Sequence, residues 1–139
     1  MIFKIENLEE IADIIADCID EDKIRQAVGK GCAIIERDAK TLAPKDTGAL
    51  RRSITSEITF DSNEISGVVF TPLEYAPYVE FGTGLFAESN GRKDVPWNYQ
   101  DDEGNWHTTS GMPPQPFMRP ALNENRTKVL RLLREGLID

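Results

Sequence analysis

Apolar positions along this chain change period as the sequence advances, and each change marks an expected element. Leu8, Ile11, Ile14, Ile15, Cys18 and Ile19 recur at three- and four-residue intervals with acids between them, which predicts an amphipathic helix with Asn7 as a cap. The run Asp20-Glu21-Asp22 either interrupts that helix or starts another, because acids favour a first turn. Helical spacing then continues through Ile24, Ala27, Val28, Gly31, Ile34, Ile35, Ala39 and Leu42. Pro44 ends it, since the residue before a proline is driven out of the helical region.

Beyond Asp46-Thr47-Gly48 the period falls to two. Ile54, Ser56, Ile58 and Phe60 alternate with Thr55, Glu57 and Thr59, the pattern of a strand with one buried face. Asp61-Ser62-Asn63 supplies turn chemistry, and residues 65–70 return as the antiparallel partner. Tyr75 to Phe81 reads as a short helix or strand containing Pro77, broken by Gly82 and Gly84. Residues 85–114 are the least regular part. Within them, Pro96 to Gln100 and Asn105 to Thr109 flank Asp101-Asp102-Glu103-Gly104, so a second hairpin is expected on an extended arm. Trp97 and Trp106 either pair across that hairpin and cap the core or serve as contact residues. The last segment is helical again, with Pro120 in its first turn and an apolar stripe of Leu122, Val129, Leu130, Leu132, Leu133 and Leu137. The pattern predicts a single α+β domain spanning 1–139. One or two N-terminal helices and a C-terminal helix pack on a small antiparallel sheet, and the hairpin arm covers about 85–114.

Composition narrows the function classes. The formal charge of -8, from 24 acidic and 16 basic residues, argues against direct binding of nucleic-acid phosphates. The charge is uneven: acids gather at Glu6, Glu9, Glu10, Asp13, Asp17, Asp20, Glu21 and Asp22, and bases at Arg119, Arg126, Lys128, Arg131 and Arg134. These ends are either solvated helix faces or complementary surfaces of neighbouring copies. Cys18 and Cys32 are the only cysteines and sit among apolar neighbours, as small buried thiols of a reduced cytosolic protein would. With His107 as the only histidine, a Cys/His metal site lacks ligands. No stretch has the length and apolarity of a membrane span, which leads to an expectation of a protein made and used in the cytoplasm.

Three phrases rich in turn residues remain. Asp46-Thr47-Gly48 has the spelling of a retroviral-type aspartic protease, whose homodimer shares a proton between two shielded aspartates. Pro44-Lys45 before it and Arg51-Arg52 after it leave no apolar strand on either side. A turn is the better reading: Gly48 takes a positive φ, Asp46 or Thr47 caps a short helix through Leu50 and Arg51, and Arg51 and Arg52 face outward. Gly82-Thr83-Gly84 resembles part of a phosphate loop but has no lysine after it. Glu80 has no nameable nucleophile beside it and is expected to pair with an arginine or cap a turn.

Read together, residues 44–54 (Pro-Lys-Asp-Thr-Gly-Ala-Leu-Arg-Arg-Ser-Ile), 75–84 (Tyr-Ala-Pro-Tyr-Val-Glu-Phe-Gly-Thr-Gly) and 116–122 (Pro-Phe-Met-Arg-Pro-Ala-Leu) resemble the HK-ninety-seven gp-ten-like family of tailed-phage proteins. Pro96-Trp97 and Gly104-Asn105-Trp106 fit the same resemblance. It implies a phage or prophage tail component or head-tail joining factor without enzymatic activity or cofactor. Such a protein forms a homo-oligomeric ring at the neck and touches other neck and tail proteins, in the host cytoplasm during assembly and then in the virion. The motif residues carry over as structural turns and subunit contacts: Asp46, Thr47, Gly48, Arg51, Tyr78, Glu80, Gly82, Thr83, Trp97, Trp106, Pro116, Phe117 and Pro120. No catalytic or metal-binding residue is carried over. Alternatives of other classes are a small homodimeric aspartic-type protease using Asp46 and a soluble regulatory binding module.

Overall fold

A computed structural model describes residues 2–4, 21–46, 48–61 and 64–138. The helix expected over Leu8 to Ile19, with Cys18, lies outside the described residues, as do Thr47 and the turn residues Ser62 and Asn63. The chain is organised as two compact units, residues 1–72 with 117–139, and residues 73–116.

The first unit contains strand β1 (Ile2–Lys4), helix α1 (Glu21–Leu42), a short helix α2 (Ala49–Ser53), strands β2 (Thr55–Asp61) and β3 (Glu64–Phe70), and the C-terminal helix, which is α4 (Met118–Ile138) in chain order. The sheet runs β1-β3-β2, antiparallel throughout, with Ile2 opposite Phe70 and Thr55 opposite Phe70 on the other side. Along β2 the expected alternation holds: Ile54 is buried, Ser56 and Ile58 are half-buried, and Thr55, Glu57 and Thr59 are exposed.

Helix α1 organises this unit because its apolar face is wide enough to serve two neighbours. Ile24, Ala27, Val28, Gly31, Cys32, Ile35 and Ala39 are buried at three- and four-residue intervals. The helix packs on β2 and β3 and also against α4. The approach to α4 is close at Gly31, where a Cβ would stand 2.8 Å from Val129 Cγ1. Ile35, Ile54, Phe117, Met118 and Val129 are the largest fully enclosed apolar side chains of the core. Each contributes about 1.5–3 kcal/mol by leaving water.

The helix ends a residue differently from its predicted face. Leu42 is 42% exposed, and Ala43, just past the last turn, takes the buried place at 1%. Polar ties fix the sheet on α1: Ser56 Oγ donates to Glu36 Oε2 at 2.7 Å, and Lys40 Nζ donates to Glu36 Oε1 at 2.6 Å. Ser53 Oγ donates to Leu50 O at 2.7 Å and lies 2.6 Å from Thr71 Oγ1, which joins the end of α2 to the chain leaving β3.

The second unit holds helix α3 (Ala76–Phe81), a single 3-10 turn (Gly84–Phe86), and strands β4 (Trp97–Gln100) and β5 (Trp106–Thr109) paired as a two-stranded antiparallel hairpin. The hairpin expected on the arm is therefore present. Pro77 sits in the first turn of α3, where its missing N–H costs nothing. The fold is α+β.

Candidate functional site: turn motifs and an aromatic surface

The first motif closes the end of α1. Gly48, at φ 80°, is the N-cap of α2, and among the described residues no side-chain cap forms there. The expected cap by Asp46 is therefore corrected: the N-cap is Gly48, two residues past Asp46, and Arg52 N donates to Gly48 O at 3.0 Å, while the alternative cap, Thr47, lies outside the described residues. Asp46 is exposed, the opposite of the shielded setting that a shared-proton aspartate pair needs.

Arg51 does not face outward as expected. Its Nε donates to Ala43 O at 2.9 Å and a terminal nitrogen reaches Thr41 O at 3.5 Å. The last carbonyls of α1 have no intrahelical donors and carry the negative end of the helix dipole, so a guanidinium eight residues on satisfies them. Arg52 is exposed.

The second motif is assembled with a segment far along the chain. Thr83 N donates to Met112 O at 2.9 Å, Met112 N donates to Thr83 Oγ1 at 2.9 Å, and Leu85 N donates to Ser110 O at 2.9 Å. Gln115 N donates to Val79 O at 2.8 Å on one side, and Glu88 N to Phe81 O at 3.0 Å on the other. Gly84 (φ 60°) and Gly111 (φ 119°) face each other so closely that a Cβ on either would meet the other's Cα at 2.8 Å. The glycines of Gly82-Thr83-Gly84 thus serve a backbone crossing, not a phosphate. Sequence reasoning missed Gly111 as their partner; an isolated glycine between the hairpin and Pro113-Pro114 was the available signal.

Helix α3 buries Ala76 and Glu80, both 0% exposed, and turns Tyr78 (60%) and Phe81 (36%) outward. Among the described residues no buried side-chain oxygen or nitrogen lacks a hydrogen-bond partner, the Glu80 carboxylate included. Phe117 is likewise fully buried, Pro116 is exposed, and Pro120 is half-buried in the first turn of α4.

Trp97 and Trp106 do not pair across the hairpin. The register sets Trp97 opposite Thr109 and Trp106 opposite Gln100, at the two ends of the ladder. The five-residue turn from Asp101 to Asn105 dictates this register, with Asp101 N donating to Asn105 O at 2.9 Å. Tyr99 stacks on His107 instead, with ring centroids 5.3 Å apart, and Arg92 lies 4.9 Å over the Trp97 ring. Asp101 Oδ1 accepts from the amides of Glu103 and Asn105, and His107 Nε2 is 2.7 Å from its Oδ2. The His107 contact and these amides hold the Asp101 carboxyl down at about 2.

A groove of about 620 Å³ runs within this unit, lined by Pro77, Tyr78, Phe81, Arg92 and Trp97 with the glycines between them. The same unit is rich in exposed apolar side chains. Of the nine large hydrophobic residues found exposed among the described residues, eight (Tyr75, Tyr78, Phe81, Leu85, Phe86, Tyr99, Trp106 and Met112) belong to residues 73–116. No group of three or more potential metal ligands occurs among the described residues, and none of their helices is long and apolar enough to cross a membrane.

The chain is thus an α+β protein whose exposed large hydrophobic side chains gather in one of its two units. Residues 5–82 match the HK97-gp10-like family of bacteriophage tail components, and the chain belongs to that family. Comparison with curated proteins and comparison with solved structures each return no significant match.

Proposed function

We propose that this protein is a structural virion-assembly factor that acts at the head-tail junction or in tail completion, where neighbouring copies close into a ring. The observation that supports this best is the concentration of exposed aromatic and aliphatic side chains on residues 73–116. Exposed apolar side chains in this number support a protein contact, because leaving them in water is costly. The contact role falls to the outward residues Tyr78 and Trp106 among those carried over from the family motif, whereas Glu80, Gly82 and Phe117 shape the fold from inside. Identical copies joined through two different patches form a ring when the rotation closes. Its partners are other neck and tail proteins, met first in the host cytoplasm and then in the virion, and it catalyses no reaction.

Deleting the gene in the encoding phage tests this reading. Electron microscopy should then show full heads beside separate tails. Joined, infectious particles in the deletion would overturn it.

A further inference from the structure

Strand β2 is an unguarded edge of the β1-β3-β2 sheet. Residues 55–61 carry neither the lysine nor the proline that commonly protects an edge, and their one-to-one register with β3 leaves no bulge. Asp61 pairs with Glu64 across two intervening residues, so Thr55, Glu57, Thr59 and Asp61 are the residues that exchange hydrogen bonds with β3. The N–H and C=O groups of Ser56, Ile58 and Phe60 point to the open side, where they bond no other described residue. Such a row is satisfied by another extended strand.

Helix α1 lies over the same edge, and its flank there is its own complement. A Cβ added at Gly29 would stand 3.4 Å from Ile58 Cδ1, which puts Gly29 above the middle of β2. By helical period Asp22, Gly29, Ala33 and Lys40 form one stripe on that flank, with Arg25 and Glu36 along its sheet side and Gln26 and Arg37 along its outer side. Asp22 and Ala33 are exposed, and Gly29 and Lys40 are half-buried. Acid, small, small, base reads the same way against a second α1 that runs antiparallel. Asp22 then meets Lys40, Gly29 meets Ala33, Arg25 meets Glu36, and Gln26 meets Arg37, so no like charges face each other. A groove of about 500 Å³ lined by Ala33, Glu36, Arg37, Lys40, Thr41 and Arg51 opens on this flank and gives the incoming first turn room.

We infer that two copies of the free protein pair through this flank, β2 against β2 antiparallel about Ile58 and α1 against α1 about the Gly29-Ala33 stripe. The Gly29–Ile58 contact brings the two centres to one place, so a single two-fold axis serves both layers and the two sheets become one. In this strand register Ser56 and Phe60 bond reciprocally across the axis, and Glu57 of one copy faces Thr59 of the other instead of a second carboxylate. Lys40 already bonds Glu36 within the chain, and Asp22 and Arg25 of the second copy extend that pair into a cluster of alternating sign that fixes the register. The contact is isologous, the same patch on both copies, and is therefore distinct from the heterologous contact of the ring.

Sedimentation equilibrium of the purified full chain tests the pairing. The wild type should be a dimer that dissociates on dilution. Ala33 and Thr59 are exposed, so substitutions there leave the fold of each copy intact. Ala33→Arg wedges the helices apart and should weaken the dimer at least tenfold. Thr59→Glu sets a carboxylate against Glu57 and should also weaken it, whereas Thr59→Lys sets a cation there and should tighten it. A wild type that stays monomeric at every concentration reached would overturn the inference. So would a dimer that ignores Ala33→Arg, or one that shifts the same way with both Thr59 variants. None of these results bears on the assembly reading, which the gene deletion tests separately.

Discussion

Asn125 on α4 and Asp38 on α1, 87 positions apart, are joined by a hydrogen bond of 2.7 Å from Asn125 Nδ2 to Asp38 Oδ2. The same amide nitrogen donates to Ala121 O at 2.8 Å, and Asn125 is only 6% exposed. It is a buried polar fastening in a helix pair that also closes at Gly31 and Val129. Asn125→Ala should therefore destabilise the protein by about 1–3 kcal/mol, the range for removing one partner of a buried hydrogen bond. Urea unfolding followed by circular dichroism measures it. Asn125→Asp, which sets a second carboxylate against Asp38, should cost more at neutral pH than Asn125→Ala.

The same contact gives stability a pH dependence. The Asn125 hydrogen bond, followed by that of Arg37, holds Asp38 below its usual value against the cost of burial. Burial also works against the Glu36 carboxylate, yet the hydrogen bonds from Lys40 and Ser56 and the Lys40 charge outweigh it and lower its pKa. A carboxylate whose pKa is lower folded than unfolded adds stability that is fully present above its unfolded value, about 4. That stability is lost as the pH falls through the folded value. Unfolding midpoints should thus be insensitive to these two groups from pH 7 down to about 5 and drop below about 4. Asp38→Asn should start lower at pH 7 and fall less steeply in acid; parallel curves for the two proteins would contradict this assignment.

Cys32 is 1% exposed, and burial, followed by the neighbouring Glu36 charge, pushes its thiol up to about 11. Thiolate is the reactive form, so both accessibility and ionisation protect it at pH 8. In a Cys18→Ser protein, a thiol reagent should leave Cys32 unlabelled over hours under native conditions and modify it fully in denaturant. Native labelling within minutes would show that α1 separates readily from the sheet.

What was legible in the sequence followed from period. The run Ile24 to Ala39 could bury its apolar residues only as a helix, and residues 54–60 could do so only as a strand, and both are found. The hairpin of residues 97–109 was legible from its turn, but its register was not. Where Trp97 and Trp106 fall depends on how many residues the turn consumes, which composition does not encode. Arg51 was misread because an arginine after a turn looks solvated until the open carbonyls of Thr41 and Ala43 are brought beside it. The crossing of residues 83–85 with 110–112 has no period at all. It is a long-range meeting of two backbones, written only as small residues at both places.

That crossing yields the sharpest test of the second unit. Gly111 needs both its φ of 119° and its missing side chain, because an added Cβ would lie 2.8 Å from the Gly84 Cα. Gly111→Ala combines a strained backbone with a clash against main chain, which no rotamer change relieves. The segments should part, freeing the amides of Thr83, Leu85 and Met112 that bond across it. Hydrogen exchange at those amides should speed at least tenfold, about 1.4 kcal/mol of lost local stability. Exchange in α1 and α4, which belong to the other unit, should stay as in the wild type. Comparable acceleration in those helices would mean that the two units unfold as one and that the crossing supports the whole chain.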